Sequence, residues 1–179
     1  KSCNVDVFFA LSHGVHRGVL KIGKTDDRVI FIKKLKDITP NVKFDLYGLD
    51  KVQPIWADHY FKTISNAKMG LNLSRGQAIK YYSSDRITQI IGNGLVTLID
   101  EKTKYNHFFD KTEMVFYKNI EDLSEKIAKI SKDEKLRKKI GKKGKDKYLK
   151  YFNSTLVAEF ILNKTLDIKS NKKYLWHNG

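Results

Sequence analysis

Two stretches of this 179-residue sequence combine the residue types that bind anions. The first is Ser12-His13-Gly14-Val15-His16-Arg17-Gly18, extended by Lys21 and Lys24. A diphosphate needs backbone N–H groups at close range and fixed cations. Gly14 and Gly18 permit the close approach, Arg17, Lys21 and Lys24 bring the charge, and His16 adds a ring nitrogen able to donate to phosphate or sugar. The stretch matches neither G-x-G-x-x-G nor a Walker loop, so an ordinary surface loop stays open as a reading. The second runs from Arg75 to Gln89. Ser83-Ser84-Asp85 is a cluster of helix-capping residue types between Arg75 and Arg86, with Gln89 one turn further on. Asp85 would repel a phosphate and is therefore expected as a cap, while Arg75, Ser84 and Arg86 face the anion. The alternative for Arg86 is an ion pair with Asp85 or Asp100.

Other chemistries find little support. The five histidines are His13, His16, His59, His107 and His177, and only His13 and His16 are close in sequence. Two such ligands without a nearby third acid or thiol make a poor metal site, so no metal is expected. Cys3 is the single cysteine, which excludes an internal disulfide and a cysteine-based zinc site and suits a reducing, cytoplasmic setting. No G-x-S-x-G elbow and no H-E-x-x-H occurs.

The elements that must position these residues alternate. Val5 to Leu11 is a nearly continuous apolar run, the pattern of a strand buried on both faces. Asp26 and Asp27 open a helix that Pro40 stops. Val42 to Gly48, Met69 to Ser74, Leu95 to Ile99 and Glu113 to Tyr117 read as further strands. Between them lie helices over Ala57 to Ala67 and from Arg86 to Ile91, the latter closed by Gly92-Asn93-Gly94 through a left-handed cap. Three more helices follow. One carries Leu123, Ile127 and Ile130; the next carries Leu136, Ile140, Gly144, Tyr148 and Phe152 at i+4 spacing; the last starts at Ser154 and carries Leu156, Val157, Phe160 and Ile161. Strands alternating with helices predict a doubly wound parallel sheet of about five strands, with a helical C-terminal extension. Residues 1–166 read as one domain and residues 167–179 as a polar tail, in which Tyr174, Leu175 and Trp176 are able to dock. In such sheets ligands bind beyond the carboxyl ends of the strands, where both anion-binding stretches fall.

The chain carries 35 Lys plus Arg against 20 Asp plus Glu, net +15, with 41% hydrophobic and 12% aromatic residues. That is enough for a core and excludes global disorder. No apolar run approaches the roughly 18 residues of a membrane-spanning helix, and the N-terminus lacks a signal-peptide pattern. The first residue is Lys, so processing or a longer parent protein is expected. Residues 118–179 hold 17 basic and 8 acidic side chains. A solvated helix face, a nucleic-acid patch and a surface for anionic lipid all fit that excess.

The run Tyr82-Ser83-Ser84-Asp85-Arg86-Ile87-Thr88-Gln89-Ile90-Ile91-Gly92-Asn93-Gly94-Leu95-Val96-Thr97 resembles the nucleotide-sugar-binding half of group 1 glycosyltransferases. Phe108-Phe109, Met114 to Asn119, Glu121-Asp122-Leu123 and Asp133 to Gly144 are similar to the same family, so the resemblance spans about residues 5–165. It implies a Rossmann-like fold forming one lobe of a GT-B enzyme. It implies a nucleoside-diphosphate sugar donor and transfer to a polysaccharide, lipid-linked or protein acceptor, as in lipopolysaccharide or surface-polysaccharide assembly. The donor-binding residues it implies are Gly14, His16, Arg17, Lys21, Arg75, Ser84, Arg86 and Gln89. Arg86 matches the helix-opening arginine. Gln89 stands where the family commonly has a glutamate for the ribose hydroxyls, and its amide can still bond a diol. The paired-glutamate motif of many retaining members is absent. The acceptor and any general base belong to an N-terminal lobe, so this chain reads as the donor-binding half, inactive alone. No cofactor and no nucleic acid are expected, and the localisation implied is cytoplasmic, with the basic helices resting on an anionic membrane face. The competing reading is a non-catalytic Rossmann-like module that binds nucleotide or nucleic acid.

Overall fold

In the computed structural model, residues 3–12 and 26–177 are described. Strand β1 (Val5–Ala10) leads to helix α1 (Asp27–Ile38), then β2 (Phe44–Tyr47), α2 (Ala57–Ile64), β3 (Ala67–Asn72), α3 (Arg86–Gly92), β4 (Val96–Asp100) and β5 (Val115–Tyr117). Two 3-10 turns, Glu101–Thr103 and Tyr105–His107, connect β4 to β5. Helices α4 (Ile120–Lys132), α5 (Glu134–Tyr151) and α6 (Ser154–Thr165) complete the chain. The five strands form one parallel sheet in the order β2-β1-β3-β4-β5. This is the Rossmann-like doubly wound arrangement expected. From β1 the chain first moves outward to β2, then returns to β3 and builds in the other direction. The topological switch point therefore lies between β1 and β3, where a crevice opens at their carboxyl ends.

Alternation along β1 explains why both sheet faces are covered. Phe9 points into a core with Ile32 and Leu35 of α1 and Leu123 and Ile127 of α4. Phe8 points the other way, against Ile55, Ile64 of α2 and Ile90 of α3. A third cluster joins Ile87 and Ile91 of α3 to Ile99, Phe109 and Met114, with Tyr148 of α5 and Phe152 just after it packed against it. The stripe on α5 is closed by glycine: a Cβ at Gly141 would collide with the Gly94 carbonyl oxygen, and one at Gly144 with the Glu113 carbonyl oxygen. Gly94 has φ 76°, and the bonds Gly94 N–H to Ile91 O and Leu95 N–H to Ile90 O close α3 as a left-handed cap.

Some boundaries differ from expectation. The second helix ends at Ile64 instead of Ala67, because Ser65 and Asn66 turn the chain and Ala67 already pairs with Val5 in the sheet. The third strand accordingly starts two residues before Met69 and ends at Asn72. The apolar residues of α6 do not enter the core: none of that helix is buried, and Val157, Ile161 and Leu162 are exposed. In the tail, Tyr174 is buried against Phe160, with ring centroids 5.0 Å apart, and Trp176 packs on Phe152 at 5.5 Å. Among the described residues no helix is long and apolar enough to cross a membrane.

Candidate functional site

Arg86 opens α3 and reaches back over the sheet. Its Nε donates to the carbonyl oxygen of Ala10, the last residue of β1, at 2.8 Å. Its Nη1 donates to the carbonyl oxygen of Leu73, just beyond β3, at 3.2 Å, and to Ser84 Oγ at 2.8 Å. The guanidinium thus bridges the two strand ends that flank the switch point, and it lies 4.9 Å from the Phe9 ring centre. Neither Asp85 nor Asp100 pairs with it; Asp100 instead caps the following 3-10 turn through the Lys102 N–H. A guanidinium has five N–H donors. Three are spent on these partners, and the two on Nη2 have no partner among the described residues. Burial, reinforced by the like charge of Arg28, lowers its proton affinity, yet an arginine stays charged at any working pH.

Arg86 lines a cavity of about 310 Å³. Ala10, Leu11 and Ser12 after β1, Asp85 and Gln89 at α3, and Trp56, Tyr60 and Phe61 at α2 line it as well. That volume lies at the lower end of small-molecule sites. Trp56 and Phe61 are both more than half exposed, and Ala57 between them has φ 47°, a conformation rare outside glycine. The Gln89 carboxamide also has no partner among the described residues.

Below the same strand ends, the start of α1 holds a second cationic group. Asp26 caps that helix by accepting from the Arg28 N–H, and it also takes a two-pronged bond from the Arg28 side chain, at 2.9 and 2.6 Å. Arg75 reaches the same carboxylate at 3.4 Å. Its neighbour Gly76 donates its N–H to Asp27 at 2.7 Å. Asp26 and Arg28 are buried while Arg75 is exposed. The Arg28 hydrogen bonds hold the Asp26 carboxyl well below the usual carboxylate range. Two arginines therefore share one buried acid near the switch point.

The expected site residues separate into three groups. Gly14, His16, Arg17 and Lys21 lie outside the described residues. Arg86 and Gln89 share the cavity, and Ser84 is tied to Arg86, whereas Arg75 is turned toward Asp26. The capping role expected for Asp85 is not found: it has helical angles and makes no capping bond, and the Ser84 hydroxyl is used on Asn72 at 3.0 Å. Sequence reasoning missed Trp56, Tyr60, Phe61, Arg28 and Asn72. The exposed aromatics near the start of α2 were the available signal for the first three.

A family model described as glycosyl transferase-like matches residues 28–163. The chain belongs to that family. This glycosyl transferase-like chain also resembles two solved structures. The first is an S. aureus TarM mutant in complex with Fondaparinux, alpha-GlcNAc-glycerol and UDP, with TM-score 0.65 and 13% identity over 91% of this chain. The second is TarM itself, with TM-score 0.57 and 14% identity over 91%. At that identity the likeness shows the fold, one lobe of the GT-B type. The chain spans 36% and 35% of the lengths of those two structures. No curated protein matches it.

Proposed function

We propose that this chain is the donor-binding lobe of a glycosyltransferase and that the cavity at the β1 and β3 ends takes a nucleoside-diphosphate sugar. The observation that carries this reading is Arg86: a cation anchored to both strand ends, in no ion pair among the described residues, with two N–H groups unspent there beside the cavity. Cleaving a sugar–phosphate bond builds negative charge on the departing diphosphate. A fixed guanidinium aimed at that charge stabilises the transition state without reorganising at the moment of reaction. Arg28 and Arg75 add to the local positive field, and the glycine stretch with Gly14, Arg17 and Lys21 follows β1 in the sequence. Gln89 offers an amide to the ribose hydroxyls, and Trp56 with Phe61 offers flat apolar faces to the base. The TarM mutant that shares this fold is complexed with UDP, which makes uridine the first nucleoside to test. The acceptor, a polysaccharide, lipid-linked sugar or protein, is met in the remainder of the enzyme.

The experiment is thermal denaturation with UDP, GDP, ADP and their sugars at millimolar concentration. One of them should raise the melting temperature of the wild type, by mass action on the folded state. Arg86→Ala should still melt cooperatively but lose that shift. A melting curve indifferent to every nucleoside diphosphate sinks the reading.

A further inference from the structure

Arg86 is only as useful as its aim, and its aim depends on a short relay of side chains. Its Nη1 can only donate, so Ser84 Oγ must accept from it. A serine hydroxyl has one proton, and that proton goes to Asn72 Oδ1 at 3.0 Å. The direction of the relay is therefore forced: Arg86 to Ser84, Ser84 to Asn72. Asn72 closes β3, opposite Ile99 of β4, and is only 4% exposed. An amide there costs desolvation that an apolar residue would avoid, and central strands of parallel sheets are otherwise apolar. Its measurable return is the bond to Ser84. Without that acceptor the Ser84 proton turns elsewhere, competing with Nη1, and the guanidinium is left to pivot on the Ala10 and Leu73 carbonyls.

We infer that Asn72 and Ser84 are positioning residues that hold the Arg86 guanidinium so that its Nη2 edge meets the diphosphate of a bound nucleotide. This rests on the donor-binding reading above. Neither residue needs to touch the ligand. The role predicts a loss specific to the phosphates and shared by the two residues, since both act through one group.

The test is calorimetric titration of the full chain with the nucleoside diphosphate that binds the wild type best, and with the matching nucleoside. Ser84→Ala and Asn72→Leu should each weaken the diphosphate about tenfold, the scale of one hydrogen bond to a charged group. The affinity for the nucleoside should stay unchanged. Ser84→Thr, which keeps the hydroxyl, should restore the diphosphate affinity. Adding Asn72→Leu to Ser84→Ala should cost nothing further, because the relay is already broken. Should Asn72→Leu not fold, the Ser84→Ala and Ser84→Thr pair decides alone. Unchanged diphosphate affinity in Ser84→Ala, equal loss for the nucleoside, or multiplying losses in the double variant would each overturn the positioning role. A wild type that binds no nucleoside diphosphate overturns the donor reading itself, a result distinct from any of these.

Discussion

The crevice at the β1 and β3 ends and the outer face of α5 are both rich in cations, and they treat them in opposite ways. On α5, lysines stand in water beside acids one turn away: Lys138 with Glu134, and Lys142 with Asp146. The Lys142 and Asp146 side chains are 77% and 58% exposed. At the crevice there are few cations, but Arg28 and Asp26 are 9% and 3% exposed, and Arg86 is held by two carbonyl oxygens and the Ser84 hydroxyl, with no ion pair among the described residues. Charge density along the sequence therefore points away from the candidate site. A functional cation here is marked by burial and by donors left unspent, because only such a group gains interaction energy when an anion arrives.

The largest expected effect tests the buried side of that contrast. Asp26→Asn leaves Arg28 buried without its counter-charge and releases Arg75 as well, which should cost about 3–5 kcal/mol in chemical denaturation. The pH dependence sharpens it. The native Asp26 carboxyl is held below its unfolded value by the Arg28 hydrogen bonds. Its contribution is therefore complete above the ordinary carboxylate pKa of about 3.9 and fades as pH falls through the depressed native value. The stability gap between wild type and variant should be full at neutral pH and should close only in strong acid. A gap that stays constant into strong acid would show that packing, not charge, is what the variant lost.

A second, smaller effect separates two uses of glycine. Gly14 and Gly18 suggested close approach of backbone to a ligand, yet Gly141 on α5 shows close approach of backbone to backbone. In an ordinary helix interior, Gly→Ala stabilises by about 1 kcal/mol. Here the added Cβ meets the Gly94 carbonyl at the end of α3, and both partners are backbone. Gly141→Ala should instead destabilise by about 2–3 kcal/mol, the cost of overpacking a site that cannot move aside. A melting temperature that rises would mean α5 slides freely over the α3 cap, which would loosen the element that carries Arg86.

The strands were legible as short apolar runs or, in β2, as apolar residues alternating with Lys43 and Asp45, and the end of α3 was legible in Gly92 to Gly94. The strand order was not, since nothing local in β2 or β3 states which neighbour it will pair. The site was legible only in part for the same reason. Arg86 and Gln89 stand in a local motif, whereas the partner of the Arg86 Nε is a carbonyl 76 residues away. Asn72 reads as the end of a strand until Ser84 is brought beside it. Asp26 reads as an acidic residue opening a helix and is found as its cap, while its second task of holding Arg75 depends on a loop 49 residues further on. Trp56 and Phe61 are exposed, and only the folded chain brings them to the cavity that Arg86 and Gln89 line.

The smallest expected effect tests the solvated side. Lys142→Ala on α5 removes one cation and one exposed ion pair. Such pairs contribute a few tenths of a kcal/mol at most, because water already solvates both partners and salt screens them. Stability should change by less than about 0.5 kcal/mol, and the affinity for a nucleoside diphosphate should not change. Calorimetry at low and high salt checks this directly, since loss of a long-range field would weaken binding only at low ionic strength. If Lys142→Ala weakens diphosphate binding at low salt as much as Arg86→Ala does, the α5 face steers the ligand. The division between a buried, aimed cation and a solvated one would then be wrong for this molecule.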